Sequence, residues 1–151
     1  MKLNTNKMPG LEYLRAVQRG DLDHPPIARI IPMRFEEIEV DRVMFLCKAG
    51  HEHQNPGGAT HGGFAATVLD SVTGCAVATR LPAGVQYGTI ELNVKMMRPV
   101  PVDVWLRAEG RVLNISRSLG VSEGSLTDEA GKLYAHATCT CLIKSPDSVS
   151  S

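Results

Sequence analysis

Residues 62–80 read GGFAATVLDSVTGCAVATR. Two glycines open the stretch, no proline interrupts it, and small or apolar residues occupy almost every position. A helix that is apolar nearly all round is enclosed by the rest of its domain rather than laid on a surface. The run also contains Asp70 and three glycines, which suits a core helix better than a membrane span. The spacing predicts a helix from Gly62 or Gly63 to about Arg80, and the rest of the chain must be arranged around it.

Working outward, residues 49–61 (AGHEHQNPGGATH) form a polar, Gly/Pro-rich loop directly before the helix, a common place for function. Ahead of the loop, residues 34–40 and 43–48 are strand-like and joined tightly at Asp41-Arg42, which predicts a hairpin. Leu11, Leu14 and Val17 recur at helical spacing, so a short helix over 11–19 ends at Gly20. Pro25-Pro26 breaks the chain and residues 27–33 dock a short apolar turn on the core, while residues 1–9 read as disordered. After the helix, Ile90, Leu92, Val94 and Met96 face one way in 89–97, and Thr89, Glu91, Asn93 and Lys95 the other. Strands over 102–113, 116–127 and 132–143 follow, with turns at Asn114 and 127–131 and a loose tail. A hairpin, one long buried helix and a meander of strands make an α+β fold, an antiparallel sheet wrapped around a central helix. The implied organisation is an N-terminal helical extension (1–28), one domain (29–144) and a flexible tail (145–151).

The bulk numbers narrow the function classes. At 151 residues the chain buries a core without disulfide or metal staples. Lys plus Arg and Asp plus Glu both number 16, a balance that argues against a nucleic-acid partner. Cys47, Cys75, Cys139 and Cys141 sit in apolar or alternating segments without a C-x-x-C pair, and Cys139 and Cys141 fall on one face of a strand. They read as reduced, buried small side chains of a reducing compartment. No apolar signal segment opens the chain, so the expected location is cytoplasmic, with no membrane partner.

Asp70 is the only charge between His61 and Arg80. A carboxylate among apolar neighbours is costly unless it is hydrogen-bonded or has work to do; the alternative is an exposed strip of the helix. His61-Gly62-Gly63 opens the helix, where unpaired N–H groups can receive a developing oxyanion and glycine lets a ligand approach the backbone. A plain loop-to-helix junction reads equally from HGG alone. Asn55 offers an amide donor in the same loop, or simply starts an Asn-Pro turn. His51, His53 and His61 suggest a metal, but the spacing is not H-E-x-x-H, so no metal is expected and His61 is read as a brace of the helix start.

Taken together, HEHQNPGGATHGGFAATVLDSVTGCAVAT and TIELNVKMMRPV resemble the phenylacetic-acid-degradation-type hotdog thioesterases, over roughly residues 30–143. The shared pattern is N-P-x-G-x-x-H-G-G-x8-D-S, then T-x-E-L-N and R-P. The resemblance implies a hotdog fold and hydrolysis of an acyl-CoA without a cofactor. In those terms Asn55 and Gly62 polarise the thioester carbonyl. Asp70 attacks directly or activates water, and Thr89 helps to hold that water. His61 and Gly63 lie against the substrate. Arg98, Arg117 and Ser118 are placed near the coenzyme A moiety, although each arginine also reads as a solvated surface charge. Some relatives carry a threonine where this chain has Gly74, so that hydroxyl is missing or supplied by Thr73. The N-terminal extension is implied to close over the acyl pocket. The implied assembly is a homodimer, or a dimer of dimers. A residue eight positions beyond Gly62 lies about 12 Å along the axis, too far to serve the same acyl carbon, so the sites are expected to be composite.

Two other functions remain open at this level. One is a non-catalytic acyl-CoA-binding protein of the same fold, and the other a hotdog acyl-thioester hydratase using His61 with Asp70.

Overall fold

The computed structural model describes residues 7–145. The predicted central helix spans Gly62–Ala78. Phe64, Val68, Leu69, Val72 and Val77 on it are almost fully buried. It lies close to the sheet because glycine faces it: a Cβ at Gly110 would stand 2.4 Å from the Val72 carbonyl oxygen. Gly110 pairs with Gly124 on the neighbouring strand, so the two together make a shallow saddle under the helix. Ser122 Oγ closes the contact by donating to the Thr73 carbonyl at 3.1 Å.

In chain order the elements are α1 (Gly10–Arg19), α2 (Ile27–Ile30), β1 (Met33–Glu39), β2 (Arg42–Lys48), α3 (Gly62–Ala78), β3 (Gln86–Met96), β4 (Trp105–Ile115), β5 (Leu119–Thr127) and β6 (Leu133–Lys144). The strands form one antiparallel sheet in the order β1-β2-β4-β5-β6-β3. This is the expected sheet wrapped around a helix, with one correction to its connectivity. The strands after α3 are not a simple meander, because β3 pairs with β6 at the far edge and β4 returns to β2. The helix itself explains the jump. Four strand spacings separate β2 from β3, about 19 Å, and 17 residues of helix reach about 25 Å. The N-terminal helix packs its Leu14 and Val17 into the same core.

Three sequence expectations shift. The strand expected from 102 starts at Trp105, because Asp103 takes a left-handed φ of 59° and its N–H bonds Ala49. The turn expected at Asn114 is instead a bulge between Val112 and Asn114, and the chain reverses at 116–118. Most consequential is a second bulge in β3. Thr89 pairs with Cys141 and Glu91 with Thr140, which leaves Ile90 as the extra residue, 60% exposed. Side chains alternate faces, so one inserted residue puts Thr89 on the same face as Leu92 and Val94, not opposite them.

The helix is also less enclosed than its composition implied. Gly62, Gly63, Ala66, Thr67, Asp70, Ser71 and Cys75 are only half-buried and form one strip along it. All four cysteines are free. Among the described residues no helix is long and apolar enough to cross a membrane, and no group of three or more His, Cys, Asp or Glu could hold a metal ion. The expected disorder of 1–9 falls largely on residues outside those described, as does most of the tail.

His53 is buried and pins the loop before α3. Its Nδ1 accepts from Gly50 N–H at 2.9 Å and its Nε2 donates to the Ile30 carbonyl at 2.6 Å, which fixes the neutral Nε2–H tautomer. With both nitrogens used, this histidine is a structural pin and no ligand donor. His53→Ala should destabilise the protein by about 1–3 kcal/mol, since a buried ring and its bonds to two part-buried backbone groups are lost. Chemical denaturation midpoints of the two proteins at equal slope check this.

Candidate functional site

Asp70 sits midway along α3, on the half-open strip. The bulge in β3 brings Thr89 against it, and Thr89 Oγ1 donates to Asp70 Oδ1 at 2.8 Å. On its other side Thr89 Oγ1 meets Cys139 Sγ at 3.7 Å and Cys141 Sγ at 3.9 Å, with the two sulfurs 3.8 Å apart. A threonine has one hydroxyl proton. Spent on Asp70, it leaves Oγ1 to accept from the thiols, which orients the hydroxyl toward the carboxylate. The hydrogen bond between the thiols lowers the pKa of Cys139 against the effect of burial, and the same bond, with burial, raises that of Cys141.

Thr73 does not take the place of the missing threonine at position 74. Its Oγ1 bonds the carbonyls of Leu69 at 2.7 Å and Asp70 at 3.1 Å, both backbone groups of its own helix. The side chain of Asp70 is supported by Thr89 alone among the described residues.

Asp70 and Thr89 open onto a cavity of about 240 Å³ with largely apolar walls, among them Ala28, Met33, Phe35, Phe45 and Tyr87. His24 and Pro25 of the N-terminal segment also line it, and the His24 ring stacks over Phe35. Cys75 is in the wall as well. Burial, and secondarily the charge of Asp70, push its thiol up to about 12. A thiol held so firmly protonated is a poor nucleophile at neutral pH, so Cys75 is no rival to the carboxylate.

The remaining candidate residues lie elsewhere. His61 caps α3, its Nδ1 accepting from Gly63 N–H at 2.8 Å. The Gly63 N–H is thus engaged within the loop-to-helix junction. It is glycine because a Cβ there would stand 2.8 Å from that imidazole nitrogen. Among the described residues Gly62 N–H has no hydrogen-bond partner. It faces a second cavity, of about 310 Å³, with Thr60, Met96 and Arg98. Asn55 Oδ1 accepts from Gly57 and Ala59 N–H at 3.0 and 3.2 Å, which holds the turn and leaves the amide NH₂ as its donor end. Arg98 Nη1 donates to the Leu133 carbonyl. Arg117 and Ser118 sit in the exposed β4–β5 turn, where Ser118 accepts from Ile143 N–H, at the Gln86 end of β3.

The single chain thus gathers the candidates into two groups. Asp70 and Thr89 share one cavity, His61, Gly62 and Arg98 another, and no residue lines both. Sequence reasoning missed the β3 bulge, the pinning of His53 and the part Tyr87 plays in the first cavity. The T-x-E-L-N strand was the sequence signal that pointed toward Thr89, and nothing in its local pattern showed the bulge that turns it toward Asp70.

Comparison with known proteins agrees with this architecture. A sequence model described as the thioesterase superfamily matches residues 57–135, from the loop before α3 into β6. A protein of Halobacterium salinarum named as an esterase is 38% identical over 89 residues, 57% of this chain. The chain spans a little over half the length of the curated relatives it matches, 58% for that one. The crystal structure of a phenylacetic acid degradation-related protein from Ralstonia eutropha superposes with a TM-score of 0.79 and 28% identity, covering 86% of this chain and 98% of that one. A Streptococcus pneumoniae protein solved with coenzyme A shares the hotdog fold at 21% identity and a TM-score of 0.68, over 75% of this chain and 89% of that one.

Proposed function

The chain belongs to the thioesterase superfamily, and on that premise we propose that it hydrolyses an acyl-CoA thioester to the free acid and coenzyme A. The observation that carries this reading is a carboxylate oriented by a hydroxyl at the edge of an apolar cavity, Asp70 with Thr89 at 2.8 Å. The cavity takes the acyl chain. Asp70 removes a proton from the attacking water, or attacks the thioester carbon itself to form a mixed anhydride that water then hydrolyses. In both cases the C–S bond breaks and the thiolate leaves and takes up a proton, from Asp70 in the first case and from solvent in the second. The unpartnered Gly62 N–H and the Asn55 amide donate to the carbonyl oxygen as it gains charge, a contact worth about 2.7–4 kcal/mol per donor. Coenzyme A bound to a protein of this fold supports it as the carrier, with Arg98, Arg117 and Ser118 as contacts.

Each site in this reading is built from two chains. Asp70 lies about 12 Å along the helix from Gly62, whereas both must come within about 3 Å of the reacting carbon. The edge strand β3 is 11 residues long, unpaired on one side, and exposes Tyr87, Ile90 and Met96. An exposed long apolar edge is a template for pairing with another chain. A second copy placed antiparallel across a twofold axis sets Asp70 of one chain beside Gly62 of its partner. Pairing of such dimers into a dimer of dimers belongs to the same proposal. The hydratase alternative is less favoured, because His61 Nδ1 is committed to capping its own helix and within one chain the ring lines a cavity that Asp70 does not.

Release of free thiol from a panel of acyl-CoAs tests the reaction. Turnover of at least one acyl class is expected. Tight binding of the panel without thiol release would instead make the protein an acyl-CoA carrier.

A further inference from the structure

A half-open cavity lies behind the one next to Asp70. It measures about 330 Å³ and is bounded by Gly10 and Tyr13 of α1, Ala78 of α3, and Leu81 and Val85 of the segment that follows. Tyr87 lines it too, and Tyr87 is the one residue that lines both this cavity and that of Asp70.

The layering of α3 against β3 explains the position. From Asp70 to Gly74 is one helical turn, a rise of about 6 Å. From Thr89 to Tyr87 is two residues of strand, about 6.8 Å. The pair Gly74–Tyr87 therefore forms the next layer after Asp70–Thr89. Tyr87 pairs with Ile143 on the helix-facing side of the sheet. A Cβ added at Gly74 would stand 3.5 Å from Tyr87 Cε2, van der Waals contact distance, so the ring lies against the helix at this turn. Ala78, one further turn along, already belongs to the second cavity. The phenol ring is a partition between two spaces aligned along the helix, and α3 backs it on one side.

We propose that Tyr87 sets the length of acyl chain the protein accepts, as a removable wall between the cavity beside Asp70 and the one bounded by α1. This rests on the thioesterase reading above. The substrates are then acyl groups that end at the ring, and longer unbranched chains enter only when the ring swings aside.

The test uses the full chain and a series of straight-chain acyl-CoAs from butanoyl to hexadecanoyl. Two readouts are taken: kcat/KM for the wild-type protein and its Tyr87 variants, and Kd by calorimetry in an Asp70→Asn background. Each methylene buried strengthens binding about fourfold, so kcat/KM rises and Kd falls with length until the chain meets the partition, where both trends break. In Tyr87→Ala the rise continues past the wild-type break, and Tyr87→Phe keeps the wild-type profile. Tyr87→Leu, which preserves more packing if the alanine variant is unstable, moves the break to an intermediate length. A break at the same length in folded Tyr87→Ala or Tyr87→Leu overturns the proposal. If thiol release is absent but the break in Kd moves as described, the hydrolysis reading fails while the partition stands. If no acyl-CoA binds, both fall.

Discussion

Asp70→Asn is expected to lower the turnover of acyl-CoA by about four orders of magnitude, or about 5.4 kcal/mol of transition-state stabilisation. Fold and binding should survive. The amide is isosteric, its oxygen still accepts the proton of Thr89 Oγ1, and the half-open strip leaves the new NH₂ group room for water. What disappears is the group that takes a proton or attacks carbon. Single-turnover kinetics with an unchanged Kd and an unchanged melting curve check this. A variant retaining most of the wild-type rate would remove Asp70 from the chemistry. Thr89→Ala serves as the calibrating partner. Its loss should be about 10- to 100-fold, because water can take over part of the hydroxyl's contact with the carboxylate. A greater loss at Thr89 than at Asp70 would reverse their roles.

The second large effect is expected from mixing two inactive proteins. Gly62→Pro removes the free N–H at the start of α3 with little other disturbance. Proline is favoured at the first helical position, and the residue before it must be extended. His61 already has φ −59° and ψ 136°. The added ring meets only the flexible end of Met96, whose Sδ would stand 2.7 Å from a Cβ there. Asp70→Ala removes the other half of the site. Refolded together in equal amounts, statistical pairing makes about half of the dimers mixed, and each mixed dimer carries one intact site. About a quarter of wild-type activity should return from parents that have little. Activity that stays at parental level, with mixed dimers shown by mass to have formed, would exclude a shared site and require another way to bridge the distance between Gly62 and Asp70.

Much of this molecule is legible without coordinates. The run from Gly62 to Arg80 gives a buried helix because its composition offers no polar face, and the period-two alternation on either side gives strands. Gly20, predicted to end the first helix, does so with a left-handed φ of 82°. Asp70 stands out by charge alone, and the pattern of Asn55, His61, Gly62 and Thr89 suggests which chemistry to look for.

Other features depend on contacts between residues distant in the chain. The alternation of 89–97 places Thr89 away from the core; a single extra residue at Ile90, permitted by the pairing of β3 with β6, turns it toward Asp70. Local periodicity cannot register a bulge, because the bulge belongs to two strands that lie some fifty residues apart. The jump of β3 to the far edge of the sheet is likewise a matter of how far α3 reaches, not of any residue in β3. His53 reads as a ligand candidate by type and proves to be a pin only through Gly50 and Ile30. Gly63, a free donor on paper, is occupied by the imidazole two residues before it. What the sequence determined by itself was the set of elements and the one carboxylate standing in an otherwise uncharged helix, since both follow from composition and period along the chain. The tertiary structure alone decided which hydroxyl supports that carboxylate, which donor remains free, and where the cavity ends at Tyr87, because each of these is a distance between atoms that the sequence leaves far apart.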